Sequence, residues 1–138
     1  MVSRVSRGLR NNNPGNIRRS AVRYKGEVQP SRDAAFKEFT TMAYGYRAMF
    51  VLLNSYQRRH KLSTIREMLM RYAPPSENQT TSYIDFVARR TGIDADAPLD
   101  TRSERDMVPI VAAMSEIENG VAASFDEVAE GWQLYIGG

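Results

Sequence analysis

The stretch of sequence that decides the fold reads PIVAAMSEIENG and covers residues 109–120. Its apolar residues recur at the spacing of one helix face, namely at Ile110, Ala113, Met114 and Ile117. Gly120 follows them, and glycine tolerates the left-handed backbone with which many helices end. The stretch therefore predicts an amphipathic helix that buries one face and carries Glu118 at the flank of that face, just before the helix ends.

The same helical spacing recurs elsewhere in the chain. It predicts one helix around residues 46–57, a second that follows Thr64, and a third over residues 81–90. Thr64 and Ser124 are each followed three residues later by a glutamate, which is the capping-box pattern of a helix start. Ser124 therefore predicts a short last helix, while Pro109 predicts the first turn of the helix described above.

Residues 21–39 have no helical period and predict short strands or irregular structure around a turn at residues 29–31. Another turn is predicted at residues 13–16, because proline presets one dihedral angle and glycine tolerates a positive φ. We therefore expect a mainly α (α+β) fold with a small β or irregular element near the N-terminus. The 138 residues are expected to form one domain, in which residues 1–10 are a candidate flexible basic arm.

The composition excludes several kinds of catalytic site. The chain has no cysteine, which excludes disulfides, thiol nucleophiles and cysteine-ligated zinc. It has a single histidine, His60, so we expect no multi-histidine metal site, and we expect no cofactor. No apolar run is long enough to cross a bilayer. The basic first residues are not followed by the hydrophobic segment of a signal peptide.

The two ends of the chain carry opposite charge. Residues 1–26 contain seven basic residues and no acidic one, a net charge of +7. Residues 101–138 contain two arginines against seven acidic residues, a net charge of −5. A basic end suits nucleic acid, anionic wall polymers or membrane surfaces. The alternative is that the two ends attract each other within the fold.

Carboxylates are the acid–base groups that remain, and cleavage of a glycosidic bond needs little else. One carboxylic acid, kept protonated by a partly apolar setting, protonates the leaving oxygen, and a second carboxylate or the substrate's acetamido group supports the developing charge. Glu118 is our candidate for the acid, and the alternative is a solvated glutamate at a helix end. Glu77 is a second candidate, although the helix dipole also explains an acid near a helix N-terminus.

Two tyrosines are candidates for substrate binding, since the apolar faces of tyrosine rings stack on sugar rings. They are Tyr24 in the irregular region and Tyr83 in the third helix. Tyr83 also belongs to the apolar stripe of that helix, so a place in the core is its alternative explanation.

Several spaced blocks of the sequence resemble a phage and prophage family that is often described as a virion structural protein. The blocks are RGLRNNNPGNIR at residues 7–18, YKG at 24–26, GYRA at 45–48 and YAPPSEN at 72–78. They occur in the order found in that family, and the resemblance covers residues 7–92. It implies a protein of the phage particle.

A more distant similarity links this region to autolysin-type glucosaminidases of the lysozyme superfamily, which share an Asn-rich segment and an aromatic-Lys-Gly element. Their catalytic glutamate ends a helix that precedes the Asn-rich segment, where this chain has only basic residues. Residues 112–120 resemble that missing helix, with Glu-Asn-Gly in place of Glu-Ser-Gly. We therefore expect a circularly permuted lysozyme-like domain, in which the Glu118 carboxyl lies beside residues 12–17 and in a cleft.

On this basis we expect a phage-type protein that degrades peptidoglycan, as a glycoside hydrolase or lytic transglycosylase with Glu118 as its general acid. Asn12, Asn13 and Asn16 are candidates for binding the N-acetyl groups of the glycan, although asparagines in such a turn also hydrogen-bond their own backbone. The alternative is a non-enzymatic virion protein that binds cell wall, nucleic acid or other virion proteins. The expected location is the virion, or the host cytoplasm before delivery to the cell wall or periplasm.

Overall fold

The computed structural model describes residues 5–138, and their architecture is helical. In chain order the helices of this range are α1 (Arg7–Arg10), α2 (Met42–His60), α3 (Ile65–Tyr72), α4 (Thr80–Thr91), α5 (Glu104–Asn119) and α6 (Phe125–Gly137). Extended pairing within residues 5–138 is limited to two isolated antiparallel bridges, Arg18 with Phe36 and Glu27 with Phe39. The expected mainly α fold is confirmed, and the small element near the N-terminus is irregular structure. None of the helices described is both long and apolar enough to span a membrane.

The centre of the fold is α2, which packs along α6. Thr41 begins α2 by accepting a hydrogen bond from the Tyr44 main-chain N–H. Further along α2, the Phe50 ring meets Trp132 edge-on at 5.1 Å between centroids and stacks on Tyr135 at 5.7 Å. Both partners belong to α6, so these aromatic contacts hold the last helix against the middle of the chain.

The helix starts carry the caps that the sequence predicts. The Thr64 hydroxyl accepts a hydrogen bond from Glu67 N–H, and the Ser124 hydroxyl accepts one from Glu127 N–H. The third predicted helix is α4, which extends one residue beyond residues 81–90 at each end. It packs between α3 and α5.

Helix α5 starts earlier than the sequence predicts. It runs from Glu104 through Pro109 without interruption, so the expectation that Pro109 marks the first turn is wrong. The start is fixed by Ser103, whose hydroxyl accepts a hydrogen bond from Asp106 N–H. Pro109 deprives the helix of one backbone hydrogen bond near this start, and the buried face that follows outweighs that loss.

The N-terminal segment is attached to the rest of the fold. Arg7–Arg10 form α1, which is capped by the Ser6 hydroxyl. Arg7 also pairs with Asp33 at 2.6 Å. The expectation of a flexible arm is therefore wrong for Arg7–Arg10, because a cap and an ion pair hold this helix. Residues 1–4, the beginning of the predicted arm, lie outside the described residues.

A buried ion pair organises residues 18–39. Lys37 Nζ lies 3.1 Å from both carboxylate oxygens of Glu27, and the two side chains are 2% and 3% exposed. Lys37 also donates to the Val22 carbonyl at 2.7 Å, while Glu27 accepts from Tyr24 N–H at 2.7 Å. Because both charges are paired and hydrogen-bonded, the segment keeps a defined course without a sheet.

Candidate functional site

Glu118 lies in the last turn of α5, and its half-buried carboxylate faces two side chains from distant parts of the chain. Asn16 Nδ2 donates to Oε1 of Glu118 at 2.8 Å. The Tyr83 hydroxyl donates to Oε2 at 2.9 Å. Asn16 and Glu118 are 102 residues apart in the sequence, so the fold brings the two ends of the chain together at this carboxylate. Glu118 thus lies beside residues 12–17, where the sequence predicts it.

The surroundings of Glu118 increase its affinity for a proton. Burial raises the pKa of Glu118, and this effect outweighs the hydrogen bonds from Asn16 and Tyr83, which lower it. Burial also raises the pKa of Tyr72 and Tyr83 well above the ordinary tyrosine value, and the Glu118 charge raises both further. The site therefore consists of a carboxyl group with a raised pKa next to neutral phenols, which is an arrangement suited to proton donation.

Two asparagines of the asparagine loop, residues 11–18, bind main-chain carbonyls within the loop and in residues 37–39. Asn13 is fully buried and donates to the carbonyls of Ile17 and Lys37 at 3.0 and 2.9 Å. Asn12 donates to the Phe39 carbonyl at 3.1 Å. These contacts favour the structural role that the sequence left open for Asn12 and Asn13. Of the three candidate asparagines, Asn16 is the one that reaches Glu118.

Asn119, the residue after Glu118, links α5 to the N-terminal segment. Its Nδ2 donates to the Pro14 carbonyl at 2.8 Å, and its Oδ1 accepts a hydrogen bond from the Ser6 hydroxyl at 2.6 Å. Tyr72 adds a third tie, because its hydroxyl donates to the Gly15 carbonyl. Sequence reasoning missed Asn119 as a positioning residue, although it stands in the Glu-Asn-Gly element that singled out its neighbour.

Helix α2 approaches the asparagine loop so closely that position 45 requires glycine. A Cβ at Gly45 would lie 2.1 Å from the Asn12 main-chain oxygen. A Cβ at Gly15 would lie 2.9 Å from the Met49 side chain of α2. These approaches fix the loop on α2 and thereby fix it in front of the end of α5.

The other candidate residues, Glu77 and Tyr24, lie apart from the Glu118 carboxylate and its two hydrogen-bond donors. Glu77 is more than half exposed and lies 3.7 Å from Arg18 in a surface ion pair. Tyr24 lies in the irregular segment with its ring 5.6 Å from Lys37 Nζ, and burial raises its pKa to about 12. Among residues 5–138 no three acidic, cysteine or histidine side chains are grouped so as to hold a metal ion.

Glu118 lines none of five surface cavities of about 220–510 Å³ in the described part of the chain. The expected cleft at Glu118 is not among these five cavities, and each carboxylate oxygen already accepts one hydrogen bond, from Asn16 or from Tyr83. A substrate oxygen that approaches Glu118 therefore meets the Asn16 and Tyr83 side chains beside the carboxyl group.

Comparison with known proteins places the chain among phage proteins. No protein-family model matches it. The chain is 35% identical over 140 residues to Protein P5 of Pseudoalteromonas phage PM2. The alignment covers 97% of this chain and 86% of that protein. The similarity extends well past residue 92, where the blocks recognised in the sequence end, and it includes the helix that carries Glu118.

Proposed function

The chain belongs to the family of Protein P5 of Pseudoalteromonas phage PM2, and from that premise we propose that it is a phage virion protein that cleaves the glycan of peptidoglycan. In this proposal Glu118 is the general acid that protonates the leaving glycosidic oxygen. The family supports the phage setting, and the name of the relative carries no information on cleavage. The enzymatic part rests on the chemistry of the Glu118 site.

The observation that carries the proposal is the position of the Glu118 carboxyl. It is half-buried, its pKa is raised by that burial, and Asn16 and Tyr83 orient it from two other parts of the fold. A raised pKa keeps a carboxyl protonated closer to neutral pH, as a general acid requires. A merely solvated glutamate at a helix end needs neither the burial nor the two oriented donors.

The site also supports the idea of a circularly permuted lysozyme-like arrangement. The catalytic glutamate of that superfamily ends a helix that leads into an Asn-rich segment. Here Glu118 ends α5, and the asparagine loop lies against it although it comes from the opposite end of the chain. A permutation of the same spatial arrangement explains both facts.

The developing positive charge on the sugar needs a partner besides the acid. Glu77 lies in an exposed pair with Arg18, so we assign it no chemical step. The acetamido group of the substrate supplies that support in our proposal, as it does in substrate-assisted glycosidases. Asn16 is the side chain of the asparagine loop closest to the reacting groups, and Tyr83 is the second candidate for contact with the sugar.

The second candidate function is that of a non-enzymatic virion protein that binds the cell wall or other virion components. The observation that favours it is the pairing of Glu118, whose two oxygens each accept a hydrogen bond and which lines none of the five cavities. In that case the carboxylate is a structural link between α5, α4 and the asparagine loop, and fold alone does not bring activity.

Release of soluble fragments from purified, dye-labelled peptidoglycan separates the two functions. We expect the wild type to release dye and Glu118→Gln to be slower by a factor of about 10²–10⁴, the usual contribution of a general acid. Glu116→Gln is the matched control, since Glu116 lies on the same helix and pairs with Arg90 on the surface. Glu77→Gln is expected to behave as the wild type.

The outcomes differ for the two candidates. A wild type that releases no dye at any protein concentration overturns the enzymatic function and leaves the virion-binding role. Release that persists in Glu118→Gln overturns the assignment of the acid while keeping the activity.

A further inference from the structure

Arg47 of α2 is a buried arginine whose Nε has no hydrogen-bond partner among residues 5–138. Arg47 as a whole is 8% exposed, and its Nε atom is fully buried and donates to no acceptor. No salt bridge to Arg47 is present among residues 5–138. The acidic residues at the start of α6, the helix that packs along α2, are therefore not paired with it. Arg47 belongs to the GYRA block, of which Gly45 helps to position the asparagine loop, whereas Arg47 makes no hydrogen bond to Glu118.

An arginine in this setting is costly to the folded protein. Burial removes water from the Nε edge of the guanidinium group, and a buried donor without an acceptor has no interaction that compensates for this loss. Buried charges in proteins are normally paired. The absence of a partner within the described chain points to one that comes from outside it.

Arg47 lines a small surface cavity that contains a second cation. The cavity has a volume of about 220 Å³. Its lining residues are Lys25, Tyr44, Arg47, Gln133, Leu134, Gly137 and Gly138. Lys25 is exposed, and its Nζ donates to the Gly138 main-chain oxygen at 3.1 Å. Two sequence blocks, YKG and GYRA, thus each contribute one positive charge to the same cavity.

We propose that this cavity is a binding site for a small oxyanion, a carboxylate or phosphate group, held by Arg47 and Lys25. The planar guanidinium donates in a fork that matches both groups, and Lys25 adds a point charge at the rim. The volume suits one such group on a small molecule or at the end of a larger ligand. The site is separate from Glu118 and does not depend on cleavage of the cell wall.

Thermal unfolding in rising concentrations of sodium phosphate or sodium acetate, at an ionic strength kept constant with sodium chloride, tests the site. A ligand that binds only the folded state raises the Tm in proportion to its occupancy. We expect a saturable rise for the wild type with at least one ion, and the ion that produces it identifies the anion class. Inorganic phosphate and acetate are the two ligands that this experiment adds.

Arg47→Met is the decisive variant, because methionine keeps the length and helix preference of the side chain and removes the charge. We expect a Tm above that of the wild type in chloride alone, since the unpaired charge is gone, and no further rise with phosphate or acetate. Arg59→Met on the exposed end of α2 is the matched control and keeps the wild-type response. Lys25→Gln, at an exposed position, folds as the wild type and weakens the apparent affinity at least about fivefold.

Three results would overturn the site. They are a wild type without a saturable response to either ion, an Arg47→Met variant that loses stability in chloride, and an ion response that survives in Arg47→Met. The second result would show that the guanidinium group has a structural partner.

Discussion

Replacement of Glu118 by two different residues separates its charge from its role as a hydrogen-bond acceptor. In Glu118→Ala, Asn16 Nδ2 and the Tyr83 hydroxyl both lose their acceptor. Each unsatisfied donor in a largely buried site costs about 1–3 kcal/mol. We therefore expect the free energy of unfolding to fall by about 2–5 kcal/mol, since both donors are affected and water compensates in part.

Glu118→Gln keeps one acceptor oxygen for Asn16, places an amide NH2 opposite the Tyr83 hydroxyl, which can accept from it, and removes the charge. The pKa of Glu118 is raised in the folded state, because burial outweighs the two hydrogen bonds, so the ionised form is the less stable one there. At pH 7 the glutamine variant is therefore expected to be as stable as the wild type or more stable. Below the ordinary value of 4.5 the wild-type carboxyl is protonated in both states and gives its full stabilisation, which is lost as the pH rises through the folded-state pKa.

Urea unfolding at several values between about pH 4 and pH 8 measures these differences. The stability of the wild type relative to Glu118→Gln is expected to decrease steadily with rising pH, while Glu116→Gln shows no such trend. The reasoning is refuted if Glu118→Gln is as unstable as Glu118→Ala at pH 7. It is also refuted if the free energy of unfolding of the wild type rises relative to that of Glu118→Gln as the pH rises, because folding would then favour the ionised carboxylate.

Two further predictions concern the attachment of the N-terminal segment. Gly45→Ala would place a Cβ 2.1 Å from the backbone of the asparagine loop, and we expect a loss of about 3 kcal/mol or more by urea unfolding; a loss below 1 kcal/mol would mean that the loop shifts easily. The Arg7 guanidinium holds the pKa of Asp33 well below its usual range, so its stabilisation is present above the ordinary pKa and is lost as the pH falls. Asp33→Asn is therefore expected to be less stable at neutral pH and to lose less on acidification from about pH 5 to pH 2, as followed by circular dichroism; an unchanged acid dependence would contradict the ion pair.

The helices and their caps were accessible from the sequence because the signals that set them are local. Thr64 and Ser124 accept hydrogen bonds from backbone N–H groups three residues away, so a few neighbouring residues determine the start of each helix. The position of Glu118 beside residues 12–17 also follows from the sequence, but through a resemblance to a known arrangement of elements, and the contact with Asn16 itself does not. Nothing in the spacing of these two residues along the chain would have brought them together.

The features that the sequence did not reveal depend on distant partners. Residues 18–39 follow an irregular course that is held by the buried pair of Lys37 and Glu27, and no periodicity marks such a pair. Helix α5 passes through Pro109 because Ser103 caps it earlier, and the sequence alone does not tell which of these two local signals sets the start. That Arg47 Nε has no partner among the described residues becomes apparent only in the three-dimensional structure, where the positions of all surrounding groups are known.

The most direct test of the central claim is mass spectrometry of the fragments that the wild-type protein releases from purified peptidoglycan. The account predicts soluble fragments produced by cleavage between sugars, with the peptide stems intact, and their loss in Glu118→Gln while Glu116→Gln still produces them. Intact glycan strands with cleaved peptides, or no soluble fragment at all, would contradict it.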